Sequence, residues 1–163
     1  MQESELLVTT AQVAIGLAGF SGVAGVLGAR PGSASPEFQG ARLRLMIETS
    51  LLAAGFSLLP MVLELLGFEP RALWRIASGM NLLAFAPQFA LSFRRSTAII
   101  RVSGEPTPKA WGAVTTLIAV LTVALLAASA LGFASSRLYV AAIFLQLVLG
   151  GIAFHRFFAA LAG

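Results

Sequence analysis

Apolar residues in this chain come in five long runs, at about residues 7–29, 43–67, 72–93, 110–133 and 138–160, and most charge falls in the gaps. A helix crossing the hydrocarbon of a bilayer needs about 20 mostly apolar residues. Each run reaches that length. The pattern predicts an all-α integral membrane protein of five transmembrane helices, forming a single transmembrane domain over residues 1–163. The first gap, from Arg30 to Gly40, holds Pro31, Gly32, Ser33, Ser35 and Pro36, the punctuation of a loop. The third holds Arg94, Arg95, Arg101, Glu105, Pro106, Pro108 and Lys109. The second (Glu69, Pro70, Arg71) and the fourth (Ala134 to Arg137) are short enough for tight hairpins.

The five runs are not alike. The first carries glycine at every third position: Gly16, Gly19, Gly22, Gly25 and Gly28. Three residues turn a helix by about 300°, so these glycines wind around it. Small-xxx-small pairs such as Ala14/Ala18 and Ser21/Gly25 then occur on several faces. Association of helices in lipid relies on such close approach. This helix suits the middle of a bundle, or the axis of an oligomer.

The third run has a polar stripe. Ser78, Asn81, Phe85, Gln88 and Ser92 follow at spacings of three and four, which puts them on one helix face. Asn and Gln are costly in lipid, so this face is expected to point at protein or water. It is a candidate lining for a pore or cavity. Pro87 and, in the second run, Pro60 each remove a backbone donor; Pro60 should free the carbonyl of Phe56.

Sliding the chain by 65 residues lays runs two and three over runs four and five. Leu66-Gly67-Phe68 meets Leu131-Gly132-Phe133, Leu73-Trp74 meets Leu138-Tyr139, and Asn81-Leu82 meets Gln146-Leu147. Ser50, Ser57 and Glu64, spaced by seven, fall on Thr115, Thr122 and Ser129. The match predicts a tandem hairpin repeat related by an axis along the membrane normal.

Composition supports the same solvent. The chain is 58% hydrophobic and 11% charged, where a soluble domain averages about 45–50% and about 25%. Mean hydropathy is +0.88. There is no cysteine and a single histidine. Disulfides, iron–sulfur clusters, thiolate zinc sites, cysteine nucleophiles and multi-histidine metal sites are therefore excluded within one chain. No metal or other cofactor is expected.

The net charge of +4 does not point to nucleic acid, because the basic residues sit at the ends of the apolar runs. Eight of them (Arg30, Arg42, Arg44, Arg94, Arg95, Arg101, Lys109 and Arg156) fall on the side of the C-terminus. Arg71, Arg75 and Arg137 fall on the other. The positive-inside rule puts the N-terminus outside and the C-terminus in the cytoplasm, where the basic loops suit anionic lipid. The start, Met1 to Glu5, is acidic and lacks the basic region of a secretory signal, so the first run is expected to stay as a span. Ten of the eleven basic residues are Arg, the usage of a GC-rich bacterial genome. The expected location is a bacterial inner membrane.

Ionisable side chains within the runs are functional candidates. Glu64 and Arg75 flank the second gap, whose shortness makes an ion pair between them geometrically easy. Glu48 has Arg44 four residues earlier on the same face. His155 lies at similar depth in the fifth run, and with Glu48 could form a proton-relay or cation-binding pair. Phe68, Trp74, Phe133, Tyr139 and Trp111 fall at run ends and fit an aromatic belt.

No acid pair, Ser/His pair or metal set has usable spacing, so an enzyme is not expected. Two classes remain. One is a homo-oligomeric channel conducting ions or small solutes, lined by the polar face of run three or by the glycine helix. The other is a non-conducting scaffold, sensor or accessory subunit of a larger complex.

Overall fold

The computed structural model describes residues 2–27, 36–103 and 109–162, and these are helical almost throughout. The helices are α1 (Gln2–Leu27), α2 (Pro36–Leu65), α3 (Pro70–Ser103), α4 (Lys109–Ala128) and α5 (Ser136–Ala162). One π-helical turn, Ser129–Phe133, continues α4. Among the described residues no strand forms. All five helices contain a segment long and apolar enough to cross a membrane: Ser4–Val23, Met46–Leu65, Pro70–Arg95, Trp111–Phe133 and Ser136–Arg156.

Two helices outrun the apolar runs. α2 begins at Pro36, inside the expected first loop, because proline's fixed φ and missing N–H suit the first helical position. α3 continues past Arg94 and Arg95 to Ser103. The rest of the two long loops, 28–35 and 104–108, lies outside the described residues.

The first hairpin turns on glycine. Gly67 has φ +80°. Its N–H donates to Glu64 O at 3.0 Å, and the Phe68 N–H donates to Leu63 O at 3.2 Å. This is the Schellman pattern, which satisfies the last carbonyls of α2 and hands the chain to Pro70 at the start of α3. The second hairpin turns differently. The π-helical turn loosens the end of α4, and the left-handed residue is Ala134 (φ 23°).

Helices α2, α3, α4 and α5 form a ring in which each packs on the next and α5 returns to α2. α3 and α5 approach each other narrowly across it. α1 lies outside the ring, against α2 and α5. It buries Leu7, Ala11, Ala14 and Ser21, at spacings of four, three and seven, which form one face. The largest apolar cluster joins Leu7, Leu63, Leu73, Ala77, Leu126, Tyr139, Ala142 and Ile143 toward the hairpin end.

Candidate functional site in the polar interior

Polar and apolar residues are distributed in the reverse of a water-soluble bundle. The described polar residues that are buried are Ser21, Thr49, Ser50, Ser57, Ser78, Asn81, Thr122, Ser129 and Gln146. All are uncharged. Outside, Leu65, Leu83, Leu131 and Phe133 are 87%, 76%, 82% and 80% exposed. An apolar exterior on this scale is unusual for a surface that faces water, and with five helices long and apolar enough to cross a membrane it is consistent with a multi-pass membrane protein.

The seven-residue spacing explains why the interior collects these groups. Ser50 and Ser57 share a face of α2, and Thr122 and Ser129 share one at the end of α4; both faces turn inward. Ser57 Oγ donates to Ala53 O at 2.7 Å, and Thr122 Oγ1 to Ile118 O at 2.8 Å. A hydroxyl can satisfy itself this way against the carbonyl one turn back. A primary amide has more donors and acceptors than its own helix offers.

Across the ring the polar groups meet. Ser78 Oγ donates to Ser129 Oγ at 2.8 Å. Gln146 Nε2 donates to Asn81 Oδ1 at 2.9 Å. That bond leaves Asn81 Nδ2 and Gln146 Oε1 buried with no protein partner, and Gln88 Nε2 and Oε1 are in the same condition. Each unmet group costs about 1–3 kcal/mol. Turning the Asn81 amide alone would set Nδ2 against Gln146 Nε2, donor to donor, so the bond ties the orientations of the two amides together. Asn81 lies eleven residues into α3 and Gln146 ten into α5. At 1.5 Å per residue both are about 15 Å from the hairpin end, near half the thickness of a bilayer core.

The hairpin end of the interior is closed by Tyr139. Pro60 cannot donate to Phe56 O, and the Tyr139 hydroxyl donates there instead, at 2.6 Å. Tyr139 is fully buried, so the belt position expected for it is corrected: its hydroxyl caps a carbonyl inside the bundle. Trp74 packs on it, centroids 5.6 Å apart. The Glu64–Arg75 ion pair that the short hairpin would allow does not form. Arg75 Nε donates to Ala130 O in the π-helical turn, at 3.2 Å, and Glu64 is exposed.

At the other end Phe85, Phe89 and Phe93 stack along α3 with centroids 6.0 and 6.3 Å apart. Gln88 and Ser92 are half-buried there. Glu48 accepts a hydrogen bond from Arg44 Nε, which, together with its charge, raises the Arg44 pKa. His155 is exposed, with its ring 6.5 Å from Trp111. Glu48 and His155 thus have separate partners. No group of His, Asp or Glu able to hold a metal forms among the described residues.

The glycines of α1 stand apart from this site. A Cβ at Gly16, Gly19 or Gly22 would meet nothing within 4 Å. Packing within the chain does not require glycine there. Gly28 lies outside the described residues, and so do the surroundings of Gly25. The described glycine with a close neighbour is Gly150 on α5, where a Cβ would come 3.3 Å from Ser50 Oγ and the hydroxyl would have to give by a few tenths of an ångström. Sequence reading passed over Gly150 and the capping role of Tyr139.

Comparison with known protein families, curated proteins and solved structures finds no match.

Proposed function

We propose that this protein is a membrane channel for small polar solutes, assembled from several copies in a bacterial inner membrane. One observation carries the reading: the most polar helix face turns into the chain's own bundle, where amide atoms at half the span's depth have no protein partner. A bundle that only had to sit in lipid gains nothing from such groups. The path would run along the interior of one chain, between α2, α3, α4 and α5, and not between copies. Its uncharged lining favours neutral solutes over ions.

The role of copies falls to α1. An added Cβ at Gly16, Gly19 or Gly22 would meet nothing within 4 Å, and small residues on a membrane helix favour close contact with another helix. A homo-oligomer joined through α1 follows. The tandem repeat belongs to the same proposal: Trp74 touches Tyr139 and Asn81 bonds Gln146, and each pair is 65 residues apart. A two-fold axis between α3 and α5 brings equivalent positions together in this way. The excess of basic residues on the C-terminal side supports a cytoplasmic position for that side, against anionic lipid.

Proteoliposomes test the function. The wild type should swell in an isotonic gradient of a neutral solute such as glycerol faster than empty vesicles, and the rate should drop at least tenfold in Gln146→Leu. The Asn81–Gln146 and Ser78–Ser129 bonds favour a second reading, in which the polar groups only join helices of a scaffold. Wild-type vesicles no more permeable than empty ones, to solutes or ions, would select it.

A further inference from the structure

The Asn81–Gln146 pair presents more than a bond between helices. Both side chains are fully buried, and their one hydrogen bond uses Gln146 Nε2 and Asn81 Oδ1. What remains is one unmet donor, Asn81 Nδ2, and one unmet acceptor, Gln146 Oε1, on the two halves of a single bonded pair. Turning one amide alone breaks the bond, and turning both keeps it and exchanges the unmet atoms, so one donor and one acceptor remain either way. No Asp, Glu, Lys, Arg or His is among the fully buried residues described, so the surroundings offer the pair no fixed charge. The nearest positions along the two helices are small on one side, Ala77 and Ala142, each four residues before its amide and each fully buried.

We infer that this pair is a binding site for a small uncharged molecule that accepts a hydrogen bond from Asn81 Nδ2 and donates one to Gln146 Oε1. Water and a small primary amide or alcohol share that chemistry. An ion does not: a cation would meet the Asn81 donor, and an anion the Gln146 acceptor. Gln88, seven residues further along the same face of α3 with both amide atoms unmet, offers a second polar step about 10 Å away. The inference deepens the proposed function by naming a site and a ligand class, and it rests on that reading only for the purpose of the site.

The test is nitrogen-15 solid-state NMR on the full chain in proteoliposomes, with acetamide as the added probe. Magnetisation transfer to the Asn81 and Gln146 side-chain amides is followed from acetamide methyl protons and, separately, from water. Transfer from acetamide identifies a site for small solutes; transfer from water alone identifies a water site; transfer from neither overturns the inference. Asn81→Leu removes the donor, so transfer to the Gln146 amide should fall at least tenfold, and an unchanged signal also overturns it. The exchanged pair, Asn81→Gln with Gln146→Asn, keeps one donor and one acceptor and should retain contact. It keeps the test decisive if Asn81→Leu fails to fold. The readout is contact and not flux. Contact without permeability would leave the site standing and remove the channel, and permeability without contact would do the reverse.

Discussion

Tyr139 and Pro60 are one feature written 79 positions apart. Proline takes a donor from α2, and the tyrosine hydroxyl returns one to the stranded Phe56 carbonyl from α5. Tyr139→Phe should therefore leave a buried acceptor unmet and cost about 1–3 kcal/mol. Pro60→Ala restores a backbone N–H to the same carbonyl, so the double variant should recover much of that loss. A double-mutant cycle of unfolding free energies in detergent reads this coupling directly, and additive effects would break the link. Gly67 is a second residue with a fixed task. At φ +80° any side chain is strained, and Gly67→Ala should cost about 1–2 kcal/mol by the same measurement. The freed Phe56 carbonyl was legible from Pro60 alone, because proline's chemistry is local. Its donor was not, because no local rule says which distant hydroxyl will arrive. Tyr139 sits where an interfacial aromatic would, and burial, not sequence position, decides between the two roles.

At the scale of helices, periodicity found every element and missed their ends. Apolar runs report the segment that avoids water, whereas helices continue into polar sequence while backbone geometry permits, as at Pro36 and beyond Arg95. The stripe Ser78, Asn81, Phe85 was legible as a face; that it meets Ser129 and Gln146 became visible only once α4 and α5 were set against it. The reverse holds for α1. Its glycine pattern suggested packing inside the bundle or between copies, and the bundle leaves Gly16, Gly19 and Gly22 untouched. Ala is the better helix former by about 1 kcal/mol per residue. Gly16→Ala with Gly19→Ala should hold or raise the unfolding temperature of a single chain while weakening association of copies. Native mass spectrometry set beside thermal unfolding separates the two. Unchanged oligomer mass in these variants would take α1 out of the interface.

For the whole molecule, the ring of α2 to α5 explains how a chain of 163 residues can keep an uncharged polar interior beneath an apolar surface. Orientation is the global property most exposed to test. The chain has no cysteine, so single reporters are clean. With Glu69→Cys, a membrane-impermeant thiol reagent should label intact cells from outside; with Arg94→Cys, labelling should require permeabilisation. Both positions are exposed. The opposite labelling would invert the topology.

The central claim is that the interior around Asn81 is the path. In proteoliposomes of the variant Asn81→Cys, a small water-soluble thiol reagent should react at that position and reduce solute permeability at least tenfold, leaving the cysteine-free protein untouched. A position that stays unreactive from both sides while solute still passes would place the path elsewhere.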